Sequence, residues 1–551
     1  MRPVLVDRWG IVENFRNLPP SLRLFHWNAP YPPKPWAPHL ETRTAKEQEQ
    51  YLQLEGPNAR AYLQGYVRYA GGATWHWAGI CWRITPEDMR LKSLYGVGRD
   101  WPFSHDVIEP YYTRGDKLLG VSGKAGNIKG KLIEGGNPFE GPRSRHYPNP
   151  PQDQPFGATL FAKAARDLGY KPFPQPSGNM SRAYQNPLGV RLGPCTFCGF
   201  CEWFGCGNYS KATPQTTILP VLLRKPNFAA RDNSEVTRIN LDASGKRATG
   251  VTFVDTGGNE WEQPADLVIL SAYTIFNVQL LLLSGIGKPY DPVGNSGVIG
   301  RNFTHQTISD VVSFFDPAKF AFNPFIASGS IGMCIDEFNG DNFDHGPHGF
   351  VGGGYMGQVQ TNGRPIETAP VPPGTPRWGA QWKKAVKENY QSALKPGTGV
   401  HGSMYSYRDV YVDLDPTYKD RFGRPLARMT IDFHDNELKQ NAFLTDKFAE
   451  IFQAMGARQI VKEYRKGPYD VTKYQTTHLC GGAIMGTDPG TSALNRYLQS
   501  WDVPNLFVTG ASAFPQNPGY NPTGTLAALA YWSADAIRTK YLRKPGQLID
   551  G

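Results

Sequence analysis

NLFVTGASAFPQNPGYNPTGTLAALA, residues 505–530, decides how the chain is read. Asn505-Leu506-Phe507-Val508-Thr509-Gly510 is a short apolar run closed by glycine, the pattern of a buried strand. A loop follows. A helix then begins at Pro522 and runs through Leu526, Leu529, Ala530 and Ile537. Asn521 before Pro522 predicts an N-cap followed by a proline in the first helical position. The result is a strand, a loop and a helix in direct succession, with polar groups gathered at the helix start.

The same mixture recurs outward from this point. Ala265–Ser271 reads as a buried strand. Residues 235–241 and 250–255 alternate apolar and polar around Ala243-Ser244-Gly245, which predicts a hairpin. Two helices are expected: 154–168, with Phe156, Leu160, Phe161, Ala164 and Leu168 on one side, and 436–455, with Leu444, Phe448, Ile451, Phe452 and Met455 as its apolar stripe. Residues 306–435 read as strands and loops rich in aromatics, and residues 1–150 as loop-rich.

The chain has 551 residues, more than one hydrophobic core usually serves, so two domains interleaved along the sequence are expected. The 60 glycines and 47 prolines argue against a helical bundle. The net charge of +10 is spread thinly, and its densest patches, such as Trp382-Lys383-Lys384, are short. No pattern of a nucleic-acid-binding fold accompanies it, so nucleic acid is rejected as a partner. No apolar run reaches the ~18 residues of a membrane span, and MRPVLVDRWGIVENF has no signal-peptide pattern. Membrane association is therefore expected only through partner subunits.

Four of the seven cysteines, Cys195, Cys198, Cys201 and Cys206, fall in CTFCGFCEWFGC. The spacing departs by one residue from a ferredoxin run and lacks its proline, and the separated pairs of a zinc ribbon are absent. Four cysteines so close would strain disulfides. Spacing alone leaves iron–sulfur, zinc and free thiols open. Cys81, Cys334 and Cys480 are isolated and read as small buried apolar residues.

Three stretches stand out: Ala70-Gly71-Gly72-Ala73-Thr74-Trp75-His76-Trp77; Val268 to Ala272 continued through Leu283-Ser284-Gly285-Ile286-Gly287; and His478 with Asn521 ahead of Thr525–Ala530. Together they resemble the glucose–methanol–choline (GMC) oxidoreductases, a family of FAD enzymes. Asn277-Val278 depart from the second signature, where a small residue and a proline are usual. The resemblance implies an α/β fold: a Rossmann-like FAD-binding domain from residues 1–305 and 471–551, with a cysteine-rich insert at about 190–210, and an inserted sheet-plus-helix substrate domain at 306–470.

It also implies the site. His478, which alone would read as structural, becomes the base facing flavin N5, and Asn521 its partner on the substrate hydroxyl. Gly71, Gly72, Ala73, Thr74, Val236, Gly510, Ala511, Asn521 and Pro522 are expected against the cofactor, with His76 as a covalent tether. The helix N-terminus behind Asn521 would favour negative charge on reduced flavin.

One element of such a domain is not found. The opening lacks a strand, a Gly-x-Gly-x-x-Gly turn and a helix, a unit of roughly 40 residues. The literal match, Gly352-Gly353-Gly354-Tyr355-Met356-Gly357, sits mid-chain without a following helix and reads as a decoy. A start codon assigned too late is the leading explanation and a truncated chain the other; as written, weak FAD binding or none is expected.

Residues 11–17, 35–39 and 95–100 resemble flavoprotein subunits of bacterial membrane-bound sugar dehydrogenases, and Cys206–Ala212 resembles the gluconate 2-dehydrogenase group. That implies oxidation of a sugar acid or sugar, gluconate to 2-ketogluconate favoured, with electrons leaving through an iron–sulfur cluster to a cytochrome c subunit and quinone. A small companion subunit and a place at the periplasmic face of the inner membrane are implied too. Sorbitol, fructose or glucose as substrate, or a non-catalytic electron-transfer subunit, are the alternatives. Arg377, Lys383 and Arg408 lie in the region expected to grip a carboxylate.

Overall fold

The computed structural model describes residues 52–55, 71–75, 77–201, 205–360, 370–396, 399–420, 422–469, 474 and 476–548. Its largest sheet has seven strands, in the order Ala393–Leu394, Thr307–Phe314, Val400–Gly402, Gly354–Val359, Gly332–Ile335 and Phe173–Pro174, with Gln459–Glu463 also paired to Thr307–Phe314. All its pairings are antiparallel. Helices Phe156–Asp167 and Asp435–Ala454 pack on it, and Phe161, Leu444, Phe448 and Phe452 form one core with Ile335, Met356 and Val400. Their apolar residues recur at helical spacing, which puts one stripe of each helix on the sheet.

Strand Gly354–Val359 is buried at every position, so it runs through the middle of this layer. The glycine-rich match is therefore a sheet strand and not a phosphate-binding turn, as the missing helix predicts. Phe173–Pro174 and Phe156–Asp167 join this layer from outside residues 306–470. In the other direction, Tyr411–Lys419 and Pro425–Thr430 form a separate three-stranded sheet with Leu52–Glu55.

The second body is built around the quoted stretch. Leu506–Val508 pairs in parallel with Val268–Leu270, and each strand leads through a loop to a helix, Thr523–Ala536 and Thr274–Leu283. The chain after Val268–Leu270 reads as a strand turning straight into a helix, the arrangement that leaves strand ends and helix starts at one edge. Asn505 holds this pair to the expected hairpin, accepting from Ala248 N at 2.8 Å and donating to the carbonyls of Ala248 and Asp266. That hairpin is Glu235–Leu241 with Ala248–Val254, extended by Glu260–Pro264.

Helix Thr523–Ala536 lies on His105–Leu119, where Gly115 admits Ala527 so closely that an added Cβ would stand 3.2 Å from it. His105–Leu119 is pinned by a buried ion cluster: Arg83 reaches Glu109 at 3.0 Å and Asp116 at 2.6 Å, and Arg143 reaches Asp116 at 2.9 Å. Each charge is paired, which such burial requires.

Two helices depart from the sequence reading, and one is His105–Leu119, which falls in residues 1–150, read as loop-rich. The other, Gly379–Asn389, lies inside the stretch read as strands and loops. It has no buried residue, so it needs no apolar stripe for the sequence to display.

Candidate functional site

The short antiparallel pair Thr304–His305 with Leu479–Cys480 brings distant segments together, His305 opposite Leu479. One residue further along each strand stand Gln306 and His478. Their side chains meet, His478 Nδ1 lying 2.6 Å from Gln306 Oε1. Past Cys480 the chain is stitched to the loop after Leu506–Val508: Gly481 N donates to Ala511 O and Ala483 N to Ser512 O. Asn517 Nδ2 donates to His478 O at 2.5 Å. His478 is thus fixed to the same loop that ends at Asn521.

Asn521 completes the cluster. Its Nδ2 lies 3.2 Å from His478 Nε2 and 3.5 Å from His401 Nε2, and its Oδ1 accepts from Tyr355 Oη at 2.7 Å. The expectation that Asn521 caps the helix is corrected here. Pro522 takes the N-cap position, no side chain caps the helix, and its backbone is already helical there with φ −76° and ψ −15°. Asn521 stands one residue too far out to cap, and its amide is spent on Tyr355 and the two imidazoles.

His401 and Tyr355 face each other across adjacent strands and stack, ring centroids 4.8 Å apart at 10°. The rings of His401 and His478 are 5.5 Å apart. Burial lowers the pKa of His478 to about 4, although the residue keeps partial exposure, and burial with the neighbouring His478 puts His401 well below the usual imidazole value. Both rings are therefore neutral near pH 7, and a neutral imidazole can accept a proton. His401 Nδ1 is buried with no hydrogen-bond partner.

The residues expected at the cofactor fall in three places. Gly510, with φ 118° and ψ −179°, leads the short turn Ala511–Ala513 before Asn521 and Pro522. Only glycine adopts that backbone readily. Gly71, Ala73 and Thr74 belong to a second loop with Gly72, where Thr74 Oγ1 donates to Gly71 O and Gly72 has nothing within 4 Å of an added Cβ. Val236 is 38% exposed on Glu235–Leu241. The expected tether, His76, lies outside the described residues. The open side of Gly72, an uncapped helix N-terminus and a buried imidazole with an unpartnered nitrogen fit a flavin ring and its substrate.

The cysteine loop lies beside the glycine loop. Asn179 joins them, its Nδ2 donating to Ala78 O at 3.0 Å and its Oδ1 3.9 Å from Cys201 Sγ, and Trp77 Nε1 donates to Ala212 O at 2.9 Å. Cys201 is buried, Cys195 and Cys206 are half-buried, and Cys198 is exposed. Burial pushes the Cys201 thiol pKa well up, Lys211, itself buried, pulls it down, and the other three cysteines add to the rise. Backbone N–H groups reach two sulfurs, Phe197 N to Cys195 at 3.4 Å and Lys211 N to Cys206 at 3.5 Å. Among the described residues no three His, Cys, Asp or Glu side chains are gathered to hold a metal ion. The loop supplies four thiols, two of them met by backbone N–H groups.

Comparison with known proteins now joins the geometry. The GMC oxidoreductase family model matches residues 151–308 and 406–530. The gluconate 2-dehydrogenase flavoprotein of Pantoea cypripedii is 49% identical over 497 residues, 87% of this chain and 80% of that one. The chain belongs to the GMC oxidoreductase family. It is thus an FAD-dependent oxidoreductase acting on CH–OH donors. The fructose dehydrogenase large subunit of Gluconobacter japonicus is a further GMC relative, 28% identical over 96% of this chain and 91% of its own. The fold is shared with the formate oxidase of Aspergillus oryzae RIB40, with TM-score 0.55 and 14% identity over 90% of this chain and 88% of that one.

Four residues carry interactions the sequence reading missed, Tyr355 of the glycine-rich run among them. Gln306 and His401 had no motif to mark them, although each neighbours or pairs with a residue of the cluster. Asn277, noted only as a departure, is fully buried: its Oδ1 accepts from Ala272 N at 2.7 Å and its Nδ2 donates to Thr509 O and Ser512 Oγ. It clamps the two parallel strand ends together. The basic residues expected at the substrate are elsewhere. Arg408 is exposed and donates to Pro292 O and Val293 O, Lys383 is exposed on Gly379–Asn389, and Arg377 is exposed just before it.

Proposed function

We propose that this chain is the flavoprotein subunit of a dehydrogenase that oxidises a hydroxyl of a sugar acid or sugar, gluconate to 2-ketogluconate first among them. The observation that carries it is His478 Nε2 meeting the Asn521 amide at 3.2 Å, with both imidazoles of the cluster neutral near pH 7. The identity of 49% to a gluconate 2-dehydrogenase flavoprotein supports the choice of substrate.

His478 Nε2 takes the hydroxyl proton as the carbinol C–H bond breaks with its electron pair, leaving a carbonyl. The Asn521 NH2, which meets His478 Nε2 and His401 Nε2, gives one of its N–H groups to the same oxygen when substrate enters between them, and Tyr355 holds the amide through its oxygen. When bound, FAD supplies the acceptor for the hydride. Gly71, Gly72, Ala73, Thr74, Val236, Gly510, Ala511 and Pro522 would hold it, with His76 as its point of attachment. The N-terminus of Thr523–Ala536 favours negative charge nearby.

Cys195, Cys198, Cys201 and Cys206 would hold an iron–sulfur cluster, which supplies a one-electron route outward when present. The Asn179 link between the cysteine and glycine loops supports that reading. The remaining partners in the proposal are a cytochrome c subunit, a small companion subunit and quinone, at the periplasmic face of the inner membrane. No helix among the described residues is long and apolar enough to cross a membrane.

Dye-linked oxidation of gluconate, fructose, sorbitol and glucose by the FAD-loaded protein tests the substrate, gluconate being expected fastest. His478→Ala should keep flavin absorbance and lose about 100-fold or more in turnover, the usual worth of a general base. Normal turnover by that variant would sink the assignment.

A further inference from the structure

We propose that Gln306 is a positioning residue that sets the tautomer of His478 and so makes Nε2 the proton acceptor. The inference rests on the reading of His478 as the base. Gln306 is fully buried between Thr304–His305 and Thr307–Phe314, and its backbone is gripped as well, its carbonyl accepting from Tyr474 Oη.

Its amide can point only one way. Nε2 donates to Pro518 O at 2.9 Å and to Tyr520 O at 3.2 Å. Both partners are carbonyls, which only accept, so the NH2 group must face them. Oε1 therefore faces His478 Nδ1 at 2.6 Å. An amide oxygen only accepts, so Nδ1 carries the proton. In a neutral ring the other nitrogen is then bare. Nε2 thus presents a lone pair, and Asn521 Nδ2 at 3.2 Å donates to it.

The rest of the cluster agrees. With Asn521 Nδ2 turned toward the imidazoles, its Oδ1 is the atom left for Tyr355 Oη, and it accepts at 2.7 Å. The opposite tautomer would set Nε2–H against the Asn521 NH2 and Nδ1 against Gln306 Oε1, a donor facing a donor and an acceptor facing an acceptor. Pro518 and Tyr520 lie on the loop between Gly510 and Asn521, so the loop that carries one half of the site also orients the base in the other half. When His478 takes a proton, Nδ1–H stays bound to Oε1, and the amide oxygen stabilises the imidazolium. His305 and His401 are the titratable groups whose charge bears on His478, and burial keeps both pKa values low.

The test uses the full chain loaded with FAD, in wild-type, Gln306→Leu, Gln306→Glu and His478→Ala forms. Histidine-labelled wild-type protein is first examined by 15N NMR, His478 being assigned by its loss in His478→Ala. A protonated Nδ1 and bare Nε2 at pH 7 are expected, and the reverse tautomer overturns the proposal even if Gln306→Leu fails to fold. Gln306→Leu should keep flavin absorbance and KM while kcat falls about 100-fold, because the base faces its proton with the wrong nitrogen part of the time. Gln306→Glu still accepts from Nδ1–H but sets its second oxygen against the carbonyls of Pro518 and Tyr520, so it should regain part of the kcat lost in Gln306→Leu and move the acid limb of the pH profile upward. Wild-type kcat in Gln306→Leu beside a dead His478→Ala overturns this proposal and leaves the base assignment standing. An active His478→Ala overturns the base assignment itself.

Discussion

Tyr355 Oη donates to Asn521 Oδ1 at 2.7 Å, joining the middle of the large sheet to the start of the helix Thr523–Ala536. Tyr355 lies in the glycine-rich run that imitates a dinucleotide-binding turn. Its neighbours are small because strands pass close by: a Cβ on Gly354 would stand 1.7 Å from His401 O. The run serves packing, and the tyrosine inside it serves the site.

Tyr355→Phe tests that link. The ring and its stacking on His401 stay, and only the hydroxyl goes. Asn521 then loses the bond that fixes its amide. The expected result is a stability loss of about 1 kcal/mol, the net worth of one buried hydrogen bond. Turnover should fall by roughly tenfold with KM little changed, because Asn521 is misaligned and not removed. Steady-state kinetics and urea unfolding of the same variant measure both.

The sequence showed some of this plainly and hid the rest for physical reasons. The hairpin and helix Asp435–Ala454 were legible because burial of one face imposes a period on the residues, and strand Leu506–Val508 because burial at every position makes an unbroken apolar run. That His478 and Asn521 stand together was legible through a resemblance spread along the chain. Gln306 was not, because a buried amide contributes through the direction of its two ends, and direction has no sequence pattern. Asn521 was misread as a cap for a related reason: the local signal for capping is strong, and only the distant Tyr355, His401 and His478 reveal that its side chain is taken. Helix Gly379–Asn389 escaped because it buries nothing.

Asn277→Ala addresses the clamp between the two strand–helix units. The buried amide makes three hydrogen bonds, two of them across to the loop carrying Gly510 and Ser512. Its removal leaves Ala272 N–H, Thr509 O and Ser512 Oγ without that partner. A destabilisation of about 3 kcal/mol is expected, since each unsatisfied buried group costs about 1–3 kcal/mol. Flavin retention should drop with it, because the loop that carries Gly510 loses its anchor. Thermal unfolding and the flavin-to-protein absorbance ratio are the measurements; an unchanged midpoint would show that the clamp is dispensable.

The cysteine loop makes an analytical prediction. Protein purified without oxygen should contain iron and acid-labile sulfide, and Cys201→Ser should lose both while flavin remains. Cys201 is chosen because it is the buried thiol of the four and the one whose backbone carbonyl accepts from Lys211 Nζ at 2.6 Å. Zinc in place of iron, or no metal with four free thiols by titration, would remove the cluster from the proposed electron route and leave the flavin site untouched.

The last prediction concerns pH. His478 has its pKa lowered from the usual imidazole value to about 4 because burial disfavours the charged ring. A base must be unprotonated to act, so activity is present above that value and is lost as pH falls through about 4. A histidine at its ordinary value near 6.5 would instead put the acid limb of kcat/KM about two units higher. The same shift links to stability. The unfolded chain binds a proton at His478 below about pH 6.5, whereas the folded chain resists until about 4, so this residue's contribution to stability is full above 6.5 and declines through that window as pH falls. Loss of activity and loss of fold must therefore be separated. Initial rates of dye-linked oxidation between pH 4 and about 8, each paired with a circular dichroism spectrum at the same pH, do this. An acid limb near 4 in still-folded protein supports the neutral, buried base. A limb near 6.5 with the fold intact would mean that His478 is solvated in the working enzyme, and that the partial opening beside it governs its protonation more than the protein packed around it.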